Sequence, residues 1–290
     1  MVTRFIHKAI ADGKGHLAIR IWKMDLKGAF KLLSFRPCDV ELMASELPGK
    51  LMAFFLCVTF GWGCTPFAFQ TITRTITWEL RKVKRTGWGN TEKGWIKGDA
   101  TMYVDDFIGV SFDKDVVDDM KGVKRLCEKL LGPGSISDKK SEVDEDGKLD
   151  VIGYTIDIKR RIVSVAQRNV KKAFYATTEI DTDGKVTLEQ MQRIASHASR
   201  YKKICPYMAP FAHALHHAQR GHPNGNRYPF PLPPDAQRAV WVLRALILLT
   251  ATGGEEYTRS FQSMTKAATG HSWVIEYDAS LTGIGLSGSR

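Results

Sequence analysis

Two aspartates stand side by side in the tetrapeptide Tyr103-Val104-Asp105-Asp106, between two short apolar runs. Carboxylates that close resist joint ionisation, and a bound divalent cation reverses that penalty. In a strand-turn-strand setting neighbouring side chains point to opposite faces, so one aspartate can coordinate metal fully while the other takes a lesser part. The plain alternative is an acidic hairpin turn. A third acid, Asp25, lies in Lys23-Met24-Asp25-Leu26-Lys27-Gly28-Ala29-Phe30, at the end of a separate β-like run. A pair of metals about 3.5–4 Å apart needs carboxylates from different strands, because one turn cannot encircle both ions. Asp25 with Asp105 meets that need, although Asp25 could also simply cap the segment that follows it. The two motifs together are far rarer by chance than either alone.

The elements that would position these acids follow from pattern. Residues 17–24 read as a strand and 50–60 as an aromatic-rich β run, followed by the Gly61-Trp62-Gly63 turn. Pro66 suits the first turn of a helix over 66–85. Residues 86–98 read as a loop, 101–104 and 107–112 as a β-hairpin around the aspartates, and 115–131 as a helix stopped by Gly132-Pro133-Gly134. Two β runs, 149–158 and 161–165, precede helical patterns at 167–178, 187–219 and 235–250. Residues 221–234 are a proline- and glycine-rich linker, and 272–286 are again β-like.

The bulk composition narrows the class. Among 290 residues there are 42 Lys and Arg against 31 Asp and Glu, a net charge of +11. Residues 159–230 hold 13 basic and 4 acidic side chains, which suits a groove for a phosphate backbone, the plain alternative being a solvated basic surface. The apolar stretches at 51–58 and 240–249 are shorter than the ~20 residues a membrane span needs, so no membrane partner is expected. Five cysteines without a CxxC pair point to reduced thiols and an intracellular protein. His213, His216 and His217 share one helical segment, but with no cysteine pair nearby a surface or packing role is expected.

Asp25 with Phe30 five positions on, then Phe60-Gly61-Trp62-Gly63-Cys64-Thr65-Pro66-Phe67-Ala68-Phe69-Gln70, then Tyr103-Val104-Asp105-Asp106, resemble motifs A, B and C of reverse transcriptases, in that family's order. Lys139-Lys140 resembles the motif D lysine region, and Val151-Ile152-Gly153-Tyr154 resembles the motif E primer-grip strand. Residues 192–217 look like a thumb. Glu276-Tyr277-Asp278-Ala279-Ser280 with Gly283-Ile284-Gly285 resembles the first strand of a retroelement ribonuclease H domain. The resemblance touches roughly residues 20 to 286. Cys64 and Thr65 replace the glycine and serine of some relatives, and Phe60 stands where retroviral relatives carry glutamine.

The resemblance implies an α+β right-hand palm with a helical thumb, fingers largely missing, and a truncated ribonuclease H-like strand at the end. Its implied divisions are 1–165 for the palm with partial fingers, 166–220 for the thumb, 221–234 for the linker and 235–290 for the connection and nuclease start. It implies RNA-directed DNA synthesis for a retrotransposon, on RNA template and DNA primer with dNTPs, in the cytoplasm or nucleus or in virus-like particles. Asp25 and Asp105 would bind two Mg²⁺ ions (or Mn²⁺) with the Leu26 carbonyl, and Asp106, counted with the metal residues, would support the site or the primer terminus. Phe30 would block a ribose 2′-hydroxyl, its alternative being an ordinary core residue. Gly61, Trp62, Pro66 and Gln70 would shape the nucleotide floor, and Lys139 or Lys140 would neutralise the leaving pyrophosphate. Ile152, Gly153 and Tyr154 would grip the primer. With only Asp278 of its acids in place, the nuclease-like end is expected to be inactive, as in a fragment of a longer polyprotein. Two other readings stay open: an inactive relic that only binds nucleic acid, and an RNA-dependent RNA polymerase, against which Phe30 and the Asp278 strand argue.

Overall fold

The computed structural model describes residues 18–58, 65–81, 94–180, 184–220, 228–252 and 258–260, isolated residues at 2, 5, 6, 9, 13, 15 and 63, and the strands at 85–86, 90–91, 274–280 and 283–289. The chain divides into two compact units, Met1–Leu149 and Asp150–Arg290. Both mix antiparallel sheet with α-helix or short strands with packed helices.

In chain order the first unit holds β1 (Ile19–Leu26), β2 (Ala44–Leu47), β3 (Leu51–Phe54), α1 (Thr65–Arg81), β4 (Arg85–Thr86), β5 (Asn90–Thr91), β6 (Asp99–Tyr103), β7 (Asp106–Phe112), α2 (Val116–Leu131) and β8 (Ile136–Val143). Its main sheet runs β6-β7-β1-β8, antiparallel throughout. Strand β1 is internal and apolar at Ile19, Ile21, Trp22, Met24 and Leu26, all buried, as a strand covered on both faces must be. Helix α1 buries Thr65, Phe69, Thr73, Ile76, Thr77 and Leu80, one face at helical spacing. Each large apolar side chain on that face contributes about 1.5–3 kcal/mol of burial. Helix α2 buries Val116, Val123, Leu126 and Cys127 in the same core and ends where Gly132 turns to φ 97°.

A buried carboxylate fastens the chain entering β6. Asp119 accepts from the Lys97 and Gly98 backbone N–H groups at 2.7 and 2.8 Å and from Ser111 Oγ at 2.6 Å. Ser111 Oγ in turn accepts from Trp22 Nε1 at 2.8 Å. Three donors satisfy an acid that would otherwise be costly to bury.

The second unit begins as β9 (Lys148–Val151) gives way to β10 (Tyr154–Asp157) and β11 (Ile162–Val165). It continues through α3 (Gln167–Thr178), β12 (Lys185–Val186), α4 (Leu188–Ile204), α5 (Ala209–His217), β13 (Phe230–Pro231), α6 (Pro234–Ala251), β14 (Arg259–Ser260), β15 (Val274–Ser280) and β16 (Gly283–Ser289). Its four-stranded sheet runs β14-β11-β10-β9, and the four helices pack on one another. Thr187 and Gln190 close a capping box at the start of α4, whose buried face is Leu188, Met191, Ile194, Ala195, Ala198, Tyr201 and Ile204.

Several boundaries differ from those the sequence suggests. The helix expected over 187–219 is two helices, because Pro206 lacks an N–H and holds Cys205 extended at φ −111° and ψ 90°. The β run expected over 149–158 is split at Ile152 and Gly153, which adopt φ 48° and 85° and turn the chain. Of the run at 50–60, whose residues 59 and 60 lie outside the described residues, Leu51–Phe54 form β3, paired with β2, a strand the pattern did not suggest. The β-like end resolves into the β15–β16 hairpin. The expected loop at 86–98 carries the two-residue β4–β5 pairing.

Candidate active site

Antiparallel pairing of β1 with β7 sets Asp25 directly opposite Asp106, while Asp106 also faces Tyr103 across the β6–β7 hairpin. Asp105 sits in the turn between those strands, and the Leu26 N–H donates to its carbonyl at 3.0 Å. The end of β1 is thereby tied to the turn that bears the second acid. Val104 adopts φ 57°, a left-handed conformation that a β-branched residue takes only under constraint. Such strain costs on the order of 1–3 kcal/mol and gathers at functional sites. Val104 N donates to Gln70 Oε1 at 3.4 Å, a long bond that ties helix α1 to the acidic turn. Asp25 is buried, and Asp105 and Asp106 are half-buried. Burial first, and then the charges of Asp105 and Asp25, push the Asp106 carboxyl above its ordinary range.

Strand β8 supplies the counter-charge. Opposite β1, Lys23 faces Glu142 and Asp25 faces Ser137, so a single residue of β1, Met24, is matched by the four residues 138–141 of β8. This bulge carries Lys140 onto the acids: its Nζ lies 3.0 Å from Asp25 Oδ2. The hydrogen bond to Asp25, and then that residue's charge, raise the Lys140 ammonium above its ordinary value. Glu142 takes Lys23 at 2.9 Å. Asp138 receives both of its bonds from Lys124 Nζ on α2, each 2.8 Å, and Ser141 Oγ donates to the Ser137 carbonyl at 3.0 Å.

The remaining candidates fall in different places. Leu26 is buried beside the turn. Phe30 is buried in the core, its ring edge-on to Phe69 at 5.4 Å, so it belongs to the packing of α1 as well as lying five residues from Asp25. Pro66 is exposed in the first turn of α1. Gly61 and Trp62 lie outside the described residues. Lys139 is exposed on the β8 bulge. Ile152, Gly153 and Tyr154 belong to the second unit. There Asn169 Nδ2 donates to the Gly153 carbonyl at 3.1 Å, and Tyr154 Oη donates to the Arg200 carbonyl at 3.1 Å. A methyl on Gly153 would meet Asn169 Nδ2 at 2.8 Å and Arg200 Nε at 3.0 Å, so α3 and α4 grip this turn closely. Ile152 and Gly153 thus form a tight turn rather than part of a strand.

Among the described residues, no three His, Cys, Asp or Glu side chains converge into a finished metal cage. The His213–His217 segment holds none either; the His216 ring instead meets Ser199 Oγ at 2.7 Å. The donors at the acidic turn nevertheless fit a hard divalent cation. They are carboxylate oxygens from two paired strands and the turn beside them, burial and then mutual repulsion raise Asp106, and Asp25 already attracts an ammonium. Local spacing gives no sign of the bulge or of the pairings of Asp138, Glu142 and Lys23. Lys140 meets Asp25 across 115 positions, and no spacing rule reaches that far.

No protein-family model matches the chain, and no curated protein matches it. Solved structures do. A foamy viral protease-reverse transcriptase dRH in complex with ds DNA aligns with TM-score 0.50 and 13% identity over 79% of this chain and 35% of that one. The foamy viral protease-reverse transcriptase with an RNA/DNA hybrid aligns at TM-score 0.49 and 14% identity, over 79% of this chain and 27% of that one. Its complex with dsDNA gives 0.49 and 13%, over 79% of this chain and 42% of that one. The chain therefore spans about a third of the first structure. At this identity the likeness is one of fold: a mixed α and β chain similar to a viral reverse transcriptase.

Proposed function

We propose that this chain is the palm and thumb portion of a retrotransposon reverse transcriptase, an RNA-directed DNA polymerase that extends a primer with dNTPs. The observation that carries the reading is the placement of Asp25 opposite Asp106, with Asp105 in the strained turn beside them. On this reading residues 1–165 are the palm with partial fingers, the helices within 166–220 are the thumb, and residues 235–290 begin the connection. Mg²⁺, or Mn²⁺ in its place, would supply Lewis-acid charge for in-line attack of a primer 3′-hydroxyl on the nucleotide α-phosphate and for the departing pyrophosphate.

The chain's own residues do the rest. Asp25 and Asp105, with the Leu26 carbonyl, hold the cations, and Asp106 adds negative charge behind them. Gln70 steadies the turn through Val104 N. Phe30 fills the volume a ribose 2′-hydroxyl would need. Lys140, or Lys139 beside it, faces the leaving phosphate. The 13 basic side chains of residues 159–230 favour a polyanionic template and primer, in keeping with the nucleic-acid duplex of the similar structure. Template pairing selects the nucleotide, so the protein need not read bases.

Primer extension on an RNA template, with dNTPs and Mg²⁺ or Mn²⁺, tests this. The parent is expected to extend the primer, and Asp25→Asn and Asp105→Asn to lose at least about a hundredfold in rate. Salt-sensitive template binding with no extension by any protein would instead make the chain a nucleic-acid-binding relic.

A further inference from the structure

The β8 bulge is an expensive feature to keep. Four residues face one across a ladder that is otherwise regular, and bulges of this kind tend to re-aim a side chain beside a functional site. It is also fastened from both sides. Lys124 of α2 holds Asp138 with two 2.8 Å bonds, and Ser141 bonds back to Ser137. Glu142 is matched to Lys23 one step along the strand, which leaves Asp25 to Lys140. Two reciprocal pairs therefore run along β1 and β8, and the second ends on an acid assigned to cation binding.

We infer that Lys140 is the built-in counter-cation of Asp25, which the Asp138-anchored bulge presents to the carboxylate and which a divalent ion must displace when it binds there. This rests on the reading of Asp25 as a metal ligand and adds a positioning role for Asp138, which acts through Lys140. In the resting site Lys140 offsets the repulsion among three acids. Once displaced, its ammonium stays within reach on an exposed strand, since its side chain is 67% exposed. The bulge thus makes ion occupancy and lysine position mutually exclusive.

The test is Mn²⁺ binding to the full chain followed by electron paramagnetic resonance, with circular dichroism melts to confirm folding. Lys140→Met is expected to bind Mn²⁺ about fivefold more tightly, the scale of one partly exposed ion pair. Lys140→Arg should retain the parent's affinity. Lys139→Met removes the same charge one residue away and is expected to change affinity less than about twofold. Asp138→Asn gives the sharpest contrast. Loss of a nearby negative charge should weaken Mn²⁺ binding by simple electrostatics, whereas release of the bulge should tighten it. Equal effects from Lys139→Met and Lys140→Met, no tightening in Lys140→Met, or weaker binding in Asp138→Asn would each overturn the inference. If Asp25→Asn binds Mn²⁺ as the parent does, the reading of Asp25 as a ligand fails instead.

Discussion

Gly109 of β7 lies directly across the ladder from Trp22 of β1, and a methyl group on Gly109 would come within 2.0 Å of the indole ring. The largest fully buried side chain among the described residues thus rests on the one residue type that leaves it room. Gly109→Ala is expected to destabilise the first unit by about 1–3 kcal/mol. Combining it with Trp22→Leu should cost less than the sum of the two changes, because the clash disappears with the ring. Denaturant melts of the four proteins check this, and strict additivity would rule out the contact.

Asp106 supplies a pH test. Its carboxyl is raised by burial and by its acidic neighbours, so the folded state holds that proton more tightly than the unfolded chain. The stability it lends is full below the ordinary carboxylate range and is lost as pH rises through its raised value. Asp106→Asn removes this penalty. In buffer free of divalent ions it should melt above the parent at pH 7, by less than about 1 kcal/mol because the half-exposed group is screened. The gain should shrink as pH falls and vanish below the ordinary carboxylate range, under about pH 3.9. A gain independent of pH would point to a packing change instead.

His197 has the opposite sign. Burial, then the charges of Arg200, Lys172 and Arg193, lower its imidazolium to about 4. The fold therefore favours neutral His197, and the stability it contributes is present above the ordinary histidine value and lost as pH falls from about 6.5 toward about 4. His197→Gln should flatten the acid limb of the stability curve by roughly 1 kcal/mol, after allowance for partial exposure. An unchanged limb in urea melts between pH 4 and pH 7 would remove His197 as its source.

Phe30 separates packing from selection. Its ring is buried edge-on to Phe69, so Phe30→Val should cost about 1–3 kcal/mol whatever else the ring does. If the ring also lies beneath the nucleotide sugar, the variant should accept ribonucleotides at the expense of the preference for deoxynucleotides. Single-nucleotide incorporation with dNTP and rNTP measures that ratio. Unchanged discrimination in a folded variant would leave Phe30 as a core residue only.

Much of this was readable without coordinates. The Asp105-Asp106 turn between β6 and β7, the helix opened near Pro66, and the helix ended by Gly132 follow from short-range pattern, whose cause is local backbone chemistry. Turn residues, proline and the periodicity of buried side chains act within a few positions. They put Asp25 near the end of β1 and Asp105 at the β6–β7 turn, though Asp25 proves to lie within β1 and Asp106 to open β7. Local pattern also misled where one residue decides. Pro206 divided a helix that periodicity had carried through, and the left-handed Ile152 and Gly153 turned a run of strand-forming residues back on itself.

What only the tertiary structure decided are the relationships between distant segments: Asp25 opposite Asp106, Trp22 against Gly109, Asp119 gathering the Lys97 and Gly98 amides, and Lys140 carried to Asp25 by a bulge. Composition and spacing name the groups that can carry charge or fill space. Which charge meets which is set by strand order and register, and a shift of one residue would turn every side chain of β1 to the other face.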